Sequence, residues 1–214
     1  MAKKRSKSEV AAQIAAERVV AVIRLADASK LVPVIEAVAA GGVRCIEITM
    51  TVPNAVELIR QVSATVSDSI LIGAGTVTDA ATARAVIEAG AQFVVSPILS
   101  PEVIAACKQA DIYCAPGCFT PTEIFTAWEL GADVIKVFPA TSLGPKYFKD
   151  IKGPFPNIPL MPTGGVSIEN AHEWIAAGAV AVGIGSDLLD KKAIDEGRYE
   201  VLTQRAAQLA ANVQ

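Results

Sequence analysis

Two residues stand where their charge is out of place. Lys136 lies near the carboxyl end of the apolar run Ala132-Asp133-Val134-Ile135-Lys136-Val137-Phe138-Pro139-Ala140, which otherwise reads as a strand buried on both faces. Burying an ammonium costs several kcal/mol unless it is paired or neutralised. An ammonium stripped of water gives up its proton more readily, and the free amine can condense with a carbonyl. Schiff-base chemistry is therefore the first expectation, against the plainer reading of a strand-end lysine reaching into water. Glu47 is the second such residue. Side chains alternate along a strand, so Ile46, Ile48 and Met50 form one apolar set and leave Cys45, Glu47 and Thr49 on the opposite face. The same parity groups Val134, Lys136 and Phe138 and sends Ile135 and Val137 the other way. Lys136 and Glu47 are thus expected to point inward together. A carboxylate in reach of a lysine can relay the protons of carbinolamine formation, dehydration and C–C cleavage. It would also favour the charged ammonium, in competition with desolvation by an apolar surround.

Two glycine-rich stretches suit an anion. Pro162-Thr163-Gly164-Gly165-Val166-Ser167 and Gly183-Ile184-Gly185-Ser186 each end a strand and lead toward a helix. Glycine lets backbone N–H groups approach phosphate oxygens, and a helix N-terminus beyond favours negative charge. Gly73-Ala74-Gly75-Thr76 ends another strand, where small residues leave room for a substrate and Thr76 offers a hydroxyl. Arg24, at the end of the first strand, could grip a carboxylate in a two-pronged contact. The only histidine, His172, sits between polar neighbours and reads as a surface or capping residue, so metal-dependent chemistry is not expected. Cys45, Cys107, Cys114 and Cys118 match no zinc spacing and are expected as buried, reduced thiols.

The elements that must position these residues repeat. Short β-branched runs at 19–24, 44–50, 70–76, 93–97, 112–115, 134–138, 160–163 and 180–184 alternate with Ala-rich helical patterns that begin near Ser29, Pro53, Thr78, Ser100, Thr120, Pro145 and Ser167. The stretch from Gly144 to Asp150 is the weakest helix of the set. Alternation of this kind calls for a parallel sheet, here an α/β (β/α)8 TIM barrel with an open doubly wound sheet as the other possibility. Phrases such as AVAAGGVRCIEI, VIEAGAQFVVS, WELGADVIKVF and WIAAGAVAVGI share a helix closed by glycine and followed at once by a strand. Residues 1–17 form a basic leader and an extra N-terminal helix, with Ser6 and Glu9 as a capping box, and a last helix starts near Tyr199. The whole chain, 1–214, is expected to be one domain. A balance of 19 basic against 22 acidic residues gives no electrostatic footprint for nucleic acid or an anionic membrane, and favours a small-molecule partner. With no long apolar segment, the protein is expected to be cytoplasmic.

Taken in order, VVAVIR, GGVRCIEITMTVPNA, IGAGTV, AQFVVSP, APGCFTPTE, DVIKVFPA and GPFPNIPLMPTGGV resemble the class I 2-keto-3-deoxy-6-phosphogluconate aldolases, grouped with the 4-hydroxy-2-oxoglutarate aldolases. The likeness runs from about Val19 to Leu188. The resemblance implies that Lys136 forms the Schiff base and Glu47 is the general acid/base. It places Arg24, Thr51 and Thr76 around the pyruvyl carboxylate, Thr163 at the sugar-chain hydroxyls, and Gly164, Gly165, Gly185 and Ser186 at the phosphate. Thr51 stands where some members carry arginine, which shifts carboxylate recognition toward Arg24. It further implies a metal-independent lyase with no cofactor, acting on a phosphorylated keto acid as a homotrimer. Three alternatives stay open: the galactonate epimer or 4-hydroxy-2-oxoglutarate as substrate, a sugar-phosphate isomerase or epimerase, and an assembly subunit on an aldolase scaffold.

Overall fold

The computed structural model describes residues 5–214; residues 1–4, the start of the basic leader, lie outside the described residues. Nine parallel strands alternate with helices: β1 (Val19–Ile23), β2 (Cys45–Thr49), β3 (Leu71–Gly75), β4 (Phe93–Val95), β5 (Tyr113–Ala115), β6 (Gly117–Cys118), β7 (Ile135–Val137), β8 (Leu160–Pro162) and β9 (Val182–Ile184). They form a curled parallel sheet in two parts, one of order β5-β4-β3-β2-β1-β9 and one of order β6-β7-β8. A bridge from Thr163 to Gly183 joins β8 to β9. The strand expected over 112–115 continues past Pro116 as β6. Pro116 has no N–H to donate to the ladder, and the run divides there, Tyr113–Ala115 pairing with β4 and Gly117–Cys118 with β7.

Ten α-helices are found among the described residues, nine of them after β1. The first is α1 (Lys7–Glu17), whose Ser6 and Glu9 form a reciprocal capping box. After it come α2 (Leu31–Ala40), α3 (Ala55–Thr65), α4 (Ala80–Glu88), α5 (Pro101–Gln109) and α6 (Pro121–Glu129). The C-terminal half adds α7 (Gly144–Lys152), α8 (Ala171–Ala176), α9 (Lys191–Asp195) and α10 (Glu200–Asn212). Asp79, Ser100 and Thr120 cap α4, α5 and α6 through their side chains, satisfying N–H groups that a helix start leaves unpaired. Gly42, Gly90, Gly131 and Gly178 have φ between 96° and 106°, the left-handed closure expected where a helix turns directly into the next strand. The weak helix at 144–150 forms in full as α7, anchored by buried Phe148 and Ile151. Helix α9 is the helix expected after Gly185-Ser186, and it starts only at Lys191.

Strand parity divides the core in two. Ile46, Ile48, Ile135 and Val137 pack with the helices in the larger cluster. Val20, Cys45, Leu71, Phe93, Tyr113, Val134 and Met161 form the inner cluster, where Val10 and Ile14 of α1 join them. The inner face is therefore apolar at the amino ends of the strands, with α1 packed onto it. All four cysteines are free and buried. No helix among the described residues is long and apolar enough to cross a membrane.

Candidate active site

Further along the same inner face, toward the carboxyl ends of the strands, the apolar layer gives way to charge. Glu47 pairs in register with Val22 on one side and Gly73 on the other, and is 1% exposed. Lys136 lies between Gly117 and Met161 and is 4% exposed, the only buried lysine among the described residues. Its ammonium stands 4.9 Å from the centre of the Phe138 ring, a cation–π contact made possible by the shared parity of the two residues.

The two charges do not touch. Neither carboxylate oxygen of Glu47 has a protein hydrogen-bond partner, and no ion pair joins it to Lys136. Burial raises the Glu47 carboxyl above its ordinary value, while the positive charges of Lys136 and, to a smaller extent, Arg24 pull it back down. The result is a carboxylate that both feels a buried ammonium and keeps its oxygens free.

Glycines on β3 make this placement possible. A Cβ at Gly75 would lie 1.8 Å from Glu47 Oε1, and one at Gly73 would lie 2.4 Å from the Phe93 ring. The sequence reading gave that room to a substrate; the structure fills it with Glu47 and Phe93. Thr76 follows directly, half-buried at φ 60°, a left-handed conformation that costs a β-branched residue roughly 1–3 kcal/mol.

A cavity of about 660 Å³ lies against residues that neighbour this pair. Val22, the register partner of Glu47, and Phe138, beneath the Lys136 ammonium, both line it. Arg24, Thr163, Gly164, Gly165, Gly185 and Ser186 line it as well, so six of the ten expected site residues share one wall. Lys136, Glu47, Thr51 and Thr76 are not among the lining residues. Thr51 is exposed and its hydroxyl lies 2.7 Å from that of Thr49. Thr163 Oγ1 is buried without a partner, in space that Gly183 leaves by lacking a Cβ.

The glycine loops are held rigidly. Gly164 and Gly165 have φ of 87° and 75°, a consecutive left-handed pair that only glycine adopts readily. Asn170 Nδ2 donates to the Gly165 carbonyl at 2.9 Å, and the Ile168 N–H donates to Asp187 Oδ2 at 2.7 Å, tying the two loops together. Arg205 of α10 donates to the Asp187 carbonyl from below at 2.7 and 3.0 Å. The helices expected at these loops start later: α8 begins at Ala171 and α9 at Lys191, because Ser167–Asn170 and the stretch after Ser186 form turns first. Any anion here would meet loop N–H groups rather than a helix end. His172 is exposed, its Nδ1 2.9 Å from the Glu169 carbonyl, and no cluster of His, Cys, Asp and Glu among the described residues could hold a metal ion.

Comparison with known proteins fits this geometry. The family model for KDPG and KHG aldolase matches residues 10–205. The chain belongs to that family. It is 37% identical over 194 residues to the 2-dehydro-3-deoxy-phosphogluconate aldolase of Dickeya dadantii, covering 90% of this chain and 91% of that one. It is 39% identical over 153 residues to the 2-dehydro-3-deoxy-6-phosphogalactonate aldolase of Escherichia coli K12, covering 71% and 75%. The crystal structure of the KDPG aldolase of Legionella pneumophila, with pyruvate captured as a covalent carbinolamine, superposes with a TM-score of 0.85 at 31% identity over 92% of this chain and 95% of that one.

Sequence reasoning found the charged pair and the loops but missed Phe138 as a cavity wall and Gly75 as the seat of Glu47. Phe138 could have been found from its shared parity with Lys136. In this aldolase family member, Gly75→Ala is expected to displace Glu47 and lower kcat by about 10²-fold, since misplacement of a reacting group by about 1 Å costs that much. Far-UV circular dichroism should be near wild type; full activity of a folded Gly75→Ala protein would show that Glu47 needs no such seat.

Proposed function

We propose that the protein is a class I aldolase of carbohydrate metabolism that cleaves 2-keto-3-deoxy-6-phosphogluconate to pyruvate and glyceraldehyde 3-phosphate. The observation that carries this reading is a buried lysine and a buried, unpartnered carboxylate whose neighbours, Phe138 and Val22, line a glycine-walled cavity. A carbinolamine, the species captured in the Legionella protein, is what an amine gives on adding to a ketone. In this chain that amine is Lys136 Nζ.

The free amine of Lys136 adds to the C2 carbonyl, and loss of water gives an iminium. Glu47 takes the proton of the C4 hydroxyl, directly or through one water; the C3–C4 bond breaks, and its electron pair flows into the iminium to leave an enamine. Glyceraldehyde 3-phosphate departs, C3 is protonated, and water hydrolyses the iminium to release pyruvate and restore the amine. Arg24 holds the pyruvyl carboxylate with help from Thr51 and Thr76. Thr163 meets the sugar-chain hydroxyls, and Gly164, Gly165, Gly185 and Ser186 give backbone N–H groups to the phosphate. The family match favours carbon–carbon cleavage over isomerase chemistry. The galactonate epimer and 4-hydroxy-2-oxoglutarate stand as further substrates of the same site.

The same reading takes the chain as one domain, its two sheet parts closing into a (β/α)8 barrel with α1 as an added N-terminal helix. Support comes from the Thr163–Gly183 bridge and from the N–H groups of Asp133 and Val134, which donate to the Cys114 carbonyl and so link β5 to the start of β7. Four free thiols suit a reducing compartment such as the cytoplasm. A homotrimer is proposed, with its contact on the exposed side of α6, where Phe119, Phe125, Trp128 and Leu130 are each 36–40% exposed within twelve residues of chain. Light scattering that returned a monomer mass at micromolar concentration would remove the trimer.

Borohydride reduction in the presence of pyruvate should add one reduced pyruvyl group to Lys136, read by peptide mass spectrometry. An unmodified Lys136 would remove the Schiff-base mechanism. Because burial raises the Glu47 carboxyl, the base is lost at a higher pH than for an ordinary carboxylate. The acidic limb of kcat/KM against pH should therefore lie above the ordinary value of 4.5. Glu47→Gln should abolish that limb and lower kcat by about 10²–10⁴-fold, the usual worth of a positioned acid or base.

A further inference from the structure

The cavity holds more positive charge than the C–C chemistry uses. Arg24, Lys30 and Lys191 line it, against the carboxylates of Asp27 and Asp195. Both carboxylates are engaged. Asp27 Oδ1 accepts from the Ser29 hydroxyl at 2.6 Å and from the Ser29 N–H at 3.0 Å. Asp195 faces Lys30, whose ammonium lies 3.4 Å from its Oδ1 and 3.3 Å from its carbonyl oxygen. This pair ties the segment after β1 to α9 and neutralises Lys30.

Lys191 is committed to nothing comparable. It is exposed, and no ion pair among the described residues includes it. Its neighbour Asp190, the charge best placed to cancel it, accepts instead from the Ala193 N–H at 2.8 Å and lies 3.7 Å from Arg205. An uncommitted ammonium therefore shares a cavity wall with Gly185 and Ser186, where the proposed phosphate is held by neutral N–H groups alone. Neutral donors tell a phosphate from a hydroxyl only weakly; a cation tells a dianion from a neutral group by charge.

Resting on the aldolase reading above, we propose that Lys191 is a specificity residue, pairing with the substrate's phosphate and selecting phosphorylated keto acids over unphosphorylated ones. Asp195 opposes it by cancelling Lys30 and adding negative charge to the same wall. The measured quantity is the ratio of kcat/KM for 2-keto-3-deoxy-6-phosphogluconate to that for unphosphorylated 2-keto-3-deoxygluconate. Lys191→Met is expected to lower the ratio about five- to tenfold, mainly through KM of the phosphorylated substrate, as loss of one charge-assisted contact does. Lys191→Arg should keep the ratio, and Asp195→Asn should raise it. The Lys191→Met effect should fade as salt approaches 1 M, where screening reaches about 3 Å, a response that a merely structural role would not give. Pyruvate formation with a ratio unmoved by Lys191→Met, or lowered by Asp195→Asn, would overturn the proposal. A wild-type protein that makes no pyruvate from either substrate would overturn the aldolase reading and this proposal with it.

Discussion

One constraint governs the molecule: an ammonium and a carboxylate are buried within electrostatic reach of each other but not in contact. A contact ion pair would have been the cheaper arrangement, because each charge would then be partly offset by hydrogen bonds from the other. Here the Glu47 oxygens have no partner and Lys136 rests against an aromatic ring. Buried polar atoms without partners are rare in native proteins and cost about 1–3 kcal/mol each. The surrounding fold sustains this arrangement through a rigid frame, with the strands of β2 and β7 locked by parallel neighbours on both sides and α1 packed under the inner face. The unmet hydrogen-bonding capacity is what the proposed chemistry needs. A carboxylate already paired could not accept a substrate proton.

Much of this was legible in the sequence because it follows from parity. The period of two in a strand places Glu47 opposite Ile46 and Ile48, and Lys136 opposite Ile135 and Val137, and the structure separates the same residues into inner and outer clusters. The glycines that end helices could be read for the same kind of reason, since a left-handed residue is required wherever a helix turns at once into a strand. The glycines of β3 were harder. Their small size was visible, but what occupies the space depends on which side chains of β2 and β4 meet them, and register is a tertiary property. The bounds of α9 were not legible because five residues carry too little periodicity to mark where a helix begins. The helix starts after the glycine loops were placed too early because Ser167 with Asn170 forms a closed turn that mimics a cap.

The surround of the cavity and its rim use different physics. Behind its wall, the charges of Lys136 and Glu47 are buried, so each acts through a low-dielectric surround and small displacements matter. At its rim, the glycine loops supply neutral donors whose positions are fixed by Asn170, Asp187 and Arg205, and charge enters only through exposed side chains screened by water. On the proposed reading, changes at Lys136 and Glu47 act on the chemical step, whereas changes at the rim act on which molecule arrives. Relatives named for gluconate- and galactonate-derived substrates stand at nearly equal identity to this chain, 37% and 39%. Epimers differ in the direction of one hydroxyl, and a single hydrogen bond made or lost at a buried acceptor is worth about 1–3 kcal/mol. Thr163 Oγ1, buried and without a protein partner, has that property. It lies in the cavity wall, on the bridge that joins β8 to β9. Substrate choice can therefore turn on one hydroxyl contact of this kind while the lysine, the glutamate and the loops around them stay the same.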